Sequence, residues 1–126
     1  MLEIDIPEVR AELEGAFAAY EAALLANDIE TLNRLFWDNP RTLRYGVHEL
    51  QYSHQEIAEF RRKRGAIDQR RTLRNTRITT FGRDFGVANT EYVPKGSNRI
   101  GRQSQTWVRT DEGWKIVAAH VSFLET

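Results

Sequence analysis

The second half of the chain constrains the fold most, because turn signals interrupt it at regular intervals. From Arg70 onward, β-branched and aromatic residues alternate with short segments rich in Gly, Asp, Asn and Pro, at residues 82–84, 94–98 and 111–113. Such segments between apolar runs are typical of hairpin turns. Three hairpin turns predict four long antiparallel strands.

The first half of the chain carries helical periodicity instead. From Pro7, apolar residues recur every three or four positions and form one stripe on a helix: Val9, Leu13, Ala16, Phe17, Tyr20, Ala23 and Leu24. Asn27-Asp28 ends this helix, and a shorter one follows over residues 29–36. Ser53 and Glu56 form a capping box for a third helix that ends near Gly65.

Two short strands are predicted between the second and third helices, at residues 42–45 and 49–52. Helices followed by a strand meander predict an α+β fold, with the N-terminal helices packed on the concave face of a curved antiparallel sheet. A chain of 126 residues is expected to form a single domain, residues 1–126.

Composition excludes several functional classes. Cysteine is absent, which excludes disulfides, thiolate metal sites and a cysteine nucleophile. Lys plus Arg and Asp plus Glu both number 18, so no overall basic field attracts nucleic acid or an anionic membrane. The N-terminus lacks the pattern of a signal peptide, and no span approaches transmembrane length, so a cytoplasmic protein is expected.

A local charge imbalance lies within residues 61–77. Asp68 is the single acid there, against eight basic residues: Arg61, Arg62, Lys63, Arg64, Arg70, Arg71, Arg74 and Arg77. Such a run most often forms a solvated face. The alternative is that one or two of these arginines turn inward to meet an anion.

Two polar side chains occur within otherwise apolar patterns. Tyr20 shares the helical stripe, so its ring faces the sheet and its hydroxyl needs a partner, which a core carbonyl could also supply. Arg44 lies between Leu43 and Tyr45; if these two pack on one side, Arg44 takes the other, beside space left by Gly46. Its planar fork would hold a carboxylate there, although an exposed edge-strand charge is equally compatible.

The turn at residues 111–113 allows side chains to be paired across the last two strands. A type I turn with Gly113 in the left-handed region places Thr110 opposite Trp114. This register brings together two polar pairs, Ser104 with His120 and Arg102 with Ser122. We expect these four side chains to bind substrate, because polar groups are better tolerated around a wet pocket than in a dry interface.

The other face of the last strand is apolar as well, which predicts that a second copy of the chain covers the convex side of the sheet as a homodimer. No metal or other cofactor is expected, because His48, His54 and His120 lack ligand spacing and no carboxylate cluster accompanies them. Ser104 or Ser122 with His120 indicates a hydrolytic pair only weakly, since no nucleophile elbow surrounds them.

The chain resembles the AtzH/HpxZ family over nearly its whole length. The similarity follows residues 35–37, 40–42, 44–47, 58–61, 78–85, 89–91, 99–107 and 114–122. The family consists of small SnoaL-like proteins of nitrogen-compound catabolism with the nuclear-transport-factor-2-like, cystatin-like fold. The resemblance therefore implies a cone-shaped sheet, and residues 46–52 are nearer to the AtzH branch than to the HpxZ branch.

The resemblance also implies a metal-free activity on small N-carboxylated or urea-like dianions. For AtzH-like members this is the decarboxylating hydrolysis of 1,3-dicarboxyurea to allophanate in cyanuric acid breakdown, whereas the HpxZ branch is tied to oxalurate catabolism. The functional tyrosine of the family falls on Tyr20. Its functional arginine, in an Arg-Tyr-Gly strand, falls on Arg44.

Two other functions are compatible with the sequence. A non-catalytic accessory subunit would bind a small dicarboxylate and deliver it to a partner amidase, since the fold hosts both enzymes and binding modules. A SnoaL-like isomerase or cyclase would use Glu91 or His120 as a base on a larger apolar ligand. Two arginines in the pocket would argue against the isomerase.

Overall fold

The computed structural model describes residues 1–125, which form three α-helices and a six-stranded sheet. In chain order these are α1 (Pro7–Leu25), α2 (Ile29–Leu35), β1 (Leu43–Tyr45), β2 (Leu50–Gln51), α3 (His54–Arg64), β3 (Arg71–Phe81), β4 (Phe85–Pro94), β5 (Gly101–Thr110) and β6 (Gly113–Phe123). The strand order is β2-β1-β6-β5-β4-β3. The predicted α+β class with a curved sheet is confirmed.

The helix ends follow the local sequence signals. Asn27, with a φ of 53°, terminates α1, and the side chain of Asp28 caps α2 by accepting from the Thr31 amide at 3.1 Å. Ser53 Oγ accepts from the Glu56 amide at 3.0 Å, whereas the Glu56 carboxylate accepts from the Tyr52 amide at 2.9 Å. Among residues 1–125, no helix is both long and apolar enough to cross a membrane.

The core lies between α1 and the inner face of the sheet. The stripe on α1 buries Val9, Leu13, Phe17, Tyr20, Ala23 and Leu24, as the periodicity predicts. Opposite the helix, Trp107 and Ile116 are fully buried on β5 and β6. Burial of such large apolar side chains stabilises the fold by roughly 1.5–3 kcal/mol each.

The pairing of β5 with β6 contains a bulge that the sequence did not reveal. Gly113 is left-handed as predicted, with a φ of 99°, but Thr110 pairs with Gly113 instead of Trp114. Val117 is then left without a partner between Ile116 and Ala118, which shifts the register by one residue. Beyond the bulge the predicted pairs are correct, Ser104 with His120 and Arg102 with Ser122.

The burial of side chains on β5 shows which face these pairs occupy. Trp107, Gln105 and Gln103 are buried on β5, so strand alternation turns the residues between them to the outer face. Arg102, Ser104 and His120 are exposed there, and Ser122 is half-buried. The expectation that Arg102, Ser104, His120 and Ser122 lie on the inner face and line its pocket is therefore wrong, because the inner face carries the glutamines instead.

The sheet is also not antiparallel throughout. β1 pairs with β6 in parallel, with Leu43 opposite Ala118 and Tyr45 opposite His120. The four long strands are joined by hairpins, which impose antiparallel neighbours. No hairpin joins β1 to β6 in the described chain, so turn signals could not fix their relative direction.

Substitution of Gly86 by alanine tests the close approach of α1 to the sheet. A Cβ at Gly86 would overlap Cδ2 of the fully buried Leu13 and lie 3.1 Å from the Thr79 carbonyl oxygen. We expect Gly86→Ala to lower the free energy of unfolding by about 1–3 kcal/mol in denaturant titrations.

The matched control is Gly15→Ala. Gly15 lies within α1, and a Cβ there would meet nothing within 4 Å. This change should raise the free energy of unfolding by about 0.5–1 kcal/mol. Equal stability of the two variants would contradict the packing described for Gly86.

Candidate functional site

A cavity of about 370 Å³ lies between the C-terminal half of α1, α3 and the sheet. Its size suits a small molecule. The residues that define its chemistry come from separate elements: Tyr20 from α1, Arg44 from β1, Phe60, Arg61 and Arg64 from α3, and Arg71, Tyr92 and Gln103 from the sheet. Tyr20 and Arg44 thus line one cavity, on the side where the sequence pattern places them.

Arg44 is held by two neighbours on the β1–β2 ribbon. Its Nη1 donates to Glu49 Oε1 and to Gln51 Oε1, each at 3.0 Å. The space expected beside Gly46 is occupied by the Glu49 carboxylate, since a Cβ at Gly46 would overlap it. In residues 1–125, Nε and Nη2 of Arg44 donate to no acceptor. These two donors are therefore available to a ligand.

Arg71 is fixed at the opposite wall. Its Nε and Nη2 donate to the two carboxylate oxygens of Glu21, at 3.0 and 2.6 Å, and Nη2 also donates to Gln103 Oε1 at 3.0 Å. The guanidinium lies 4.5 Å from the ring centroid of Tyr92. This bidentate pair neutralises Arg71 within the wall. The Gln103 amide nitrogen is buried and has no partner within residues 1–125.

Arg61 is buried without a carboxylate. It is 3 % exposed, its guanidinium lies 4.8 Å from the Phe36 ring centroid, and Nη1 donates to Asn33 Oδ1 at 3.4 Å. In the described part of the chain, no carboxylate comes within 4.0 Å of it. Burial lowers the pKa of Arg61 to about 10; the nearby Tyr20 opposes this shift, and the positive charges of Arg44 and Arg64 add to it.

Arg64, one turn further along α3, is half-buried and likewise forms no ion pair within residues 1–125. Burial lowers its pKa, and the charge of Arg44 lowers it further, whereas Glu49 and Tyr20 oppose the shift. Its Nε is buried without a partner in residues 1–125. The guanidinium groups of Arg64 and Arg44 lie 5.3 and 5.7 Å from the centroid of the same ring, that of Phe60.

The charges around the cavity do not balance. Five arginines line it, and three of them form ion pairs: Arg44 with Glu49, Arg70 with Asp68 and Arg71 with Glu21. Within residues 1–125, Arg61 and Arg64 have no such pair, which leaves an excess of two positive charges. Of the basic run in residues 61–77, Arg61, Arg64, Arg70 and Arg71 line the cavity. The alternative in which some of these arginines turn inward therefore describes the run better than a wholly solvated face.

Tyr92 is a second phenol in the cavity that sequence reasoning missed. Burial raises its pKa, and the charges of Arg71 and Arg44 partly offset the shift. Gly101 lies opposite Tyr92 on β5, and a Cβ there would overlap the ring. The pairing of Gly101 with Tyr92 shows that the ring lies over the glycine. This pairing can be recognised only when the register of the two strands is known.

Arg61 and Arg64 were missed as individual residues, although helix spacing contained a signal for them. Arg61 follows the buried Ile57 by four positions on α3, and Arg64 follows Phe60 in the same way. Both therefore extend the inward stripe of the helix.

Glu91 and His120, the two possible bases of an isomerase, do not line the cavity. Glu91 accepts from Arg74 and Asn75, and it lies opposite the outward-facing Arg102. His120 is exposed on that same outer face. In residues 1–125, no group of three or more His, Cys, Asp or Glu side chains is arranged to hold a metal ion.

Comparisons with solved structures define the class of fold. An NTF2-like protein of unknown function from Pseudomonas putida shares 13 % identity with a TM-score of 0.77, covering 91 % of this chain and 86 % of that one. A cystatin-like fold protein from Burkholderia xenovorans shares 42 % identity with a TM-score of 0.94, covering 100 % and 99 % of the two chains. The protein thus has the NTF2-like, cystatin-like fold.

The family follows from two further matches. A protein of unknown function of the DUF3225 family from Pectobacterium atrosepticum shares 48 % identity with a TM-score of 0.94, covering 97 % of this chain and 95 % of that one. The AtzH-like family model matches residues 2–126. The chain belongs to the AtzH-like family, which confirms the resemblance found in the sequence. A comparison with curated proteins found no match.

Proposed function

We propose that this protein is a metal-independent hydrolase that converts 1,3-dicarboxyurea to allophanate and releases carbon dioxide, in cyanuric acid catabolism or a related nitrogen-compound pathway. Membership of the AtzH-like family suggests the substrate. The observation that carries the proposal is a cavity that combines Tyr20 and Arg44 with an excess of two positive charges. A substrate with two carboxylates matches this excess.

Arg44 is the proposed grip on one carboxylate. Glu49 and Gln51 engage only its Nη1, so Nε and Nη2 present a planar pair of donors. Two parallel N–H to oxygen bonds hold a carboxylate in position and in orientation. Because Tyr20 lines the same cavity, we place the adjacent substrate nitrogen beside the phenol.

Tyr20 is the proposed proton donor. A phenol ordinarily carries its proton at neutral pH. When the bond between nitrogen and the carboxyl carbon breaks, its electron pair stays on nitrogen, the phenol proton moves to that nitrogen, and carbon dioxide leaves. The phenolate then regains a proton from water. Positioning plus one general acid is sufficient for this step without a strong nucleophile.

The direct test is turnover of 1,3-dicarboxyurea, generated in situ, by the purified chain alone. Formation of allophanate supports the enzyme. Turnover only after addition of a partner amidase would instead favour an accessory subunit that binds and delivers the dianion. An isomerase is disfavoured, because Glu91 and His120 lie on the outer face whereas arginines line the cavity.

Tyr20→Phe separates a catalytic from a structural role. Loss of a general acid should lower the single-turnover rate by about a hundredfold or more. The stability cost should be about 1 kcal/mol, measured as a thermal midpoint on the same preparation. Tyr92→Phe, which changes the other phenol of the cavity, is the control and should keep most of the rate. A fully active, folded Tyr20→Phe protein would remove Tyr20 from the mechanism.

Arg44→Lys tests the forked grip. The change keeps the positive charge but loses the planar pair of donors, so kcat/KM should fall by at least about tenfold. Arg41→Lys is the matched control, because Arg41 is exposed three residues earlier. Steady-state kinetics of both variants is the measurement. Wild-type kinetics in Arg44→Lys would show that a point charge is enough.

A homodimer through the outer face of the sheet is also proposed. Tyr45 lies 6.1 Å from Tyr52 and 5.5 Å from His120 between ring centroids, and the neighbouring Leu50 is 63 % exposed. Light scattering should give a mass near twice 14.6 kDa, and Tyr52→Glu should shift it toward the monomer. A strict wild-type monomer at micromolar concentration would contradict the dimer.

A further inference from the structure

Arg61 and Arg64 are the cavity arginines that the described protein leaves uncompensated. They are three residues apart on α3 and therefore share one face of the helix. Glu49, Asp68 and Glu21 engage the other cavity arginines, and no carboxylate lies within 4.0 Å of Arg61 or Arg64 in residues 1–125. Arg61 is nevertheless buried, and Arg64 is half-buried beside the cavity.

The contacts of Arg61 do not account for its burial. The hydrogen bond to Asn33 is long, at 3.4 Å, and the other neighbours are the Phe36 ring, at 4.8 Å, and the Tyr20 side chain. None of these partners is an acid, so together they offset only part of the cost of burying a guanidinium. For Arg64, a buried Nε has no acceptor in residues 1–125. Both side chains lack an anion.

Tyr20 lines the same cavity as the three arginines. The charges of Arg44, Arg61 and Arg64 influence one another, and Tyr20 influences both Arg61 and Arg64. Arg44 and Arg64 meet at the Phe60 ring, whereas Arg61 lies on the side of Phe36, whose ring centroid is 6.3 Å from that of Tyr20. A ligand that contacts all three would lie in the cavity that the phenol also lines.

We infer that Arg61 and Arg64 hold the second carboxylate of a dianionic substrate while Arg44 holds the first. The identity of that substrate rests on the proposed function, but the preference for a dianion rests on the unpaired charges. Loss of one carboxylate as carbon dioxide turns the bound dianion into a monoanion. One of the two excess positive charges is then unpaired again, so the product binds more weakly than the substrate and is released.

Glutarate is the probe that separates binding from turnover. Its carboxyl carbons are separated by three atoms, as in 1,3-dicarboxyurea, but it has no carbon–nitrogen bond to break. Calorimetry should show that the protein binds glutarate at least about tenfold more tightly than its monoamide, glutaramate, because charge-assisted hydrogen bonds to the second carboxylate are lost.

The variants Arg61→Gln and Arg64→Gln should each weaken glutarate binding by about tenfold or more and reduce the preference over glutaramate. Arg62→Gln is the matched control, because Arg62 lies between them on α3 but points outward, where it pairs with Glu59. It should bind glutarate as the wild type does. Arg64 is less buried than Arg61, so Arg64→Gln carries the test if Arg61→Gln does not fold.

Unchanged glutarate affinity in Arg64→Gln would overturn the inference. Lower kcat with unchanged glutarate affinity in Arg61→Gln would also overturn it for Arg61, since that residue would then act through Tyr20. Arginine-dependent glutarate binding without turnover of 1,3-dicarboxyurea would support the inference and contradict the proposed function. Turnover with glutarate affinity that is independent of both arginines would do the opposite.

Discussion

The packing of α1 across the inner face of the sheet is the contact on which the rest of the structure depends. One stripe of this helix serves two purposes. Near its middle, Leu13 closes against Gly86 and completes the dry core, whereas Tyr20, two turns later, reaches the wall of the cavity. The packing that stabilises the domain therefore also sets the position of the phenol, because Leu13 and Tyr20 lie on the same rigid helix.

The arginines that line the cavity, and the acids that pair with some of them, determine its electrostatic potential. The pairs Arg44–Glu49 and Arg71–Glu21 fix two arginines on opposite walls with side chains that are mostly buried. In this setting charges interact more strongly than in water. Arg61 and Arg64, with lowered pKa values that reflect burial and mutual repulsion, make the space between the walls favourable for an anion.

The sequence predicted the helices, strands and turns well because their signals are local. The Asp28 cap, the Ser53 cap and the left-handed Gly113 each depend on a few neighbouring residues. The bulge at Val117 has no such signal, since Val117 suits a regular strand as well as a bulged one. Because of that unpaired residue, the inner face of β6 passes from Trp114 and Ile116 to Ala119, which turns His120 and Ser122 outward.

For the candidate site, sequence pattern alone placed Tyr20 on the inner stripe of α1 and Arg44 across a strand from its apolar neighbours. It determined that a run of arginines exists, but not which of them lose their contact with water. Tertiary structure decided this. Glu21 neutralises Arg71 although it lies fifty positions away in the sequence, whereas no acid from any described element reaches Arg61. Periodicity specifies which way a side chain points within its own element. Only the packing of elements from distant parts of the chain decides which charges meet, since Coulomb attraction depends on distance in space.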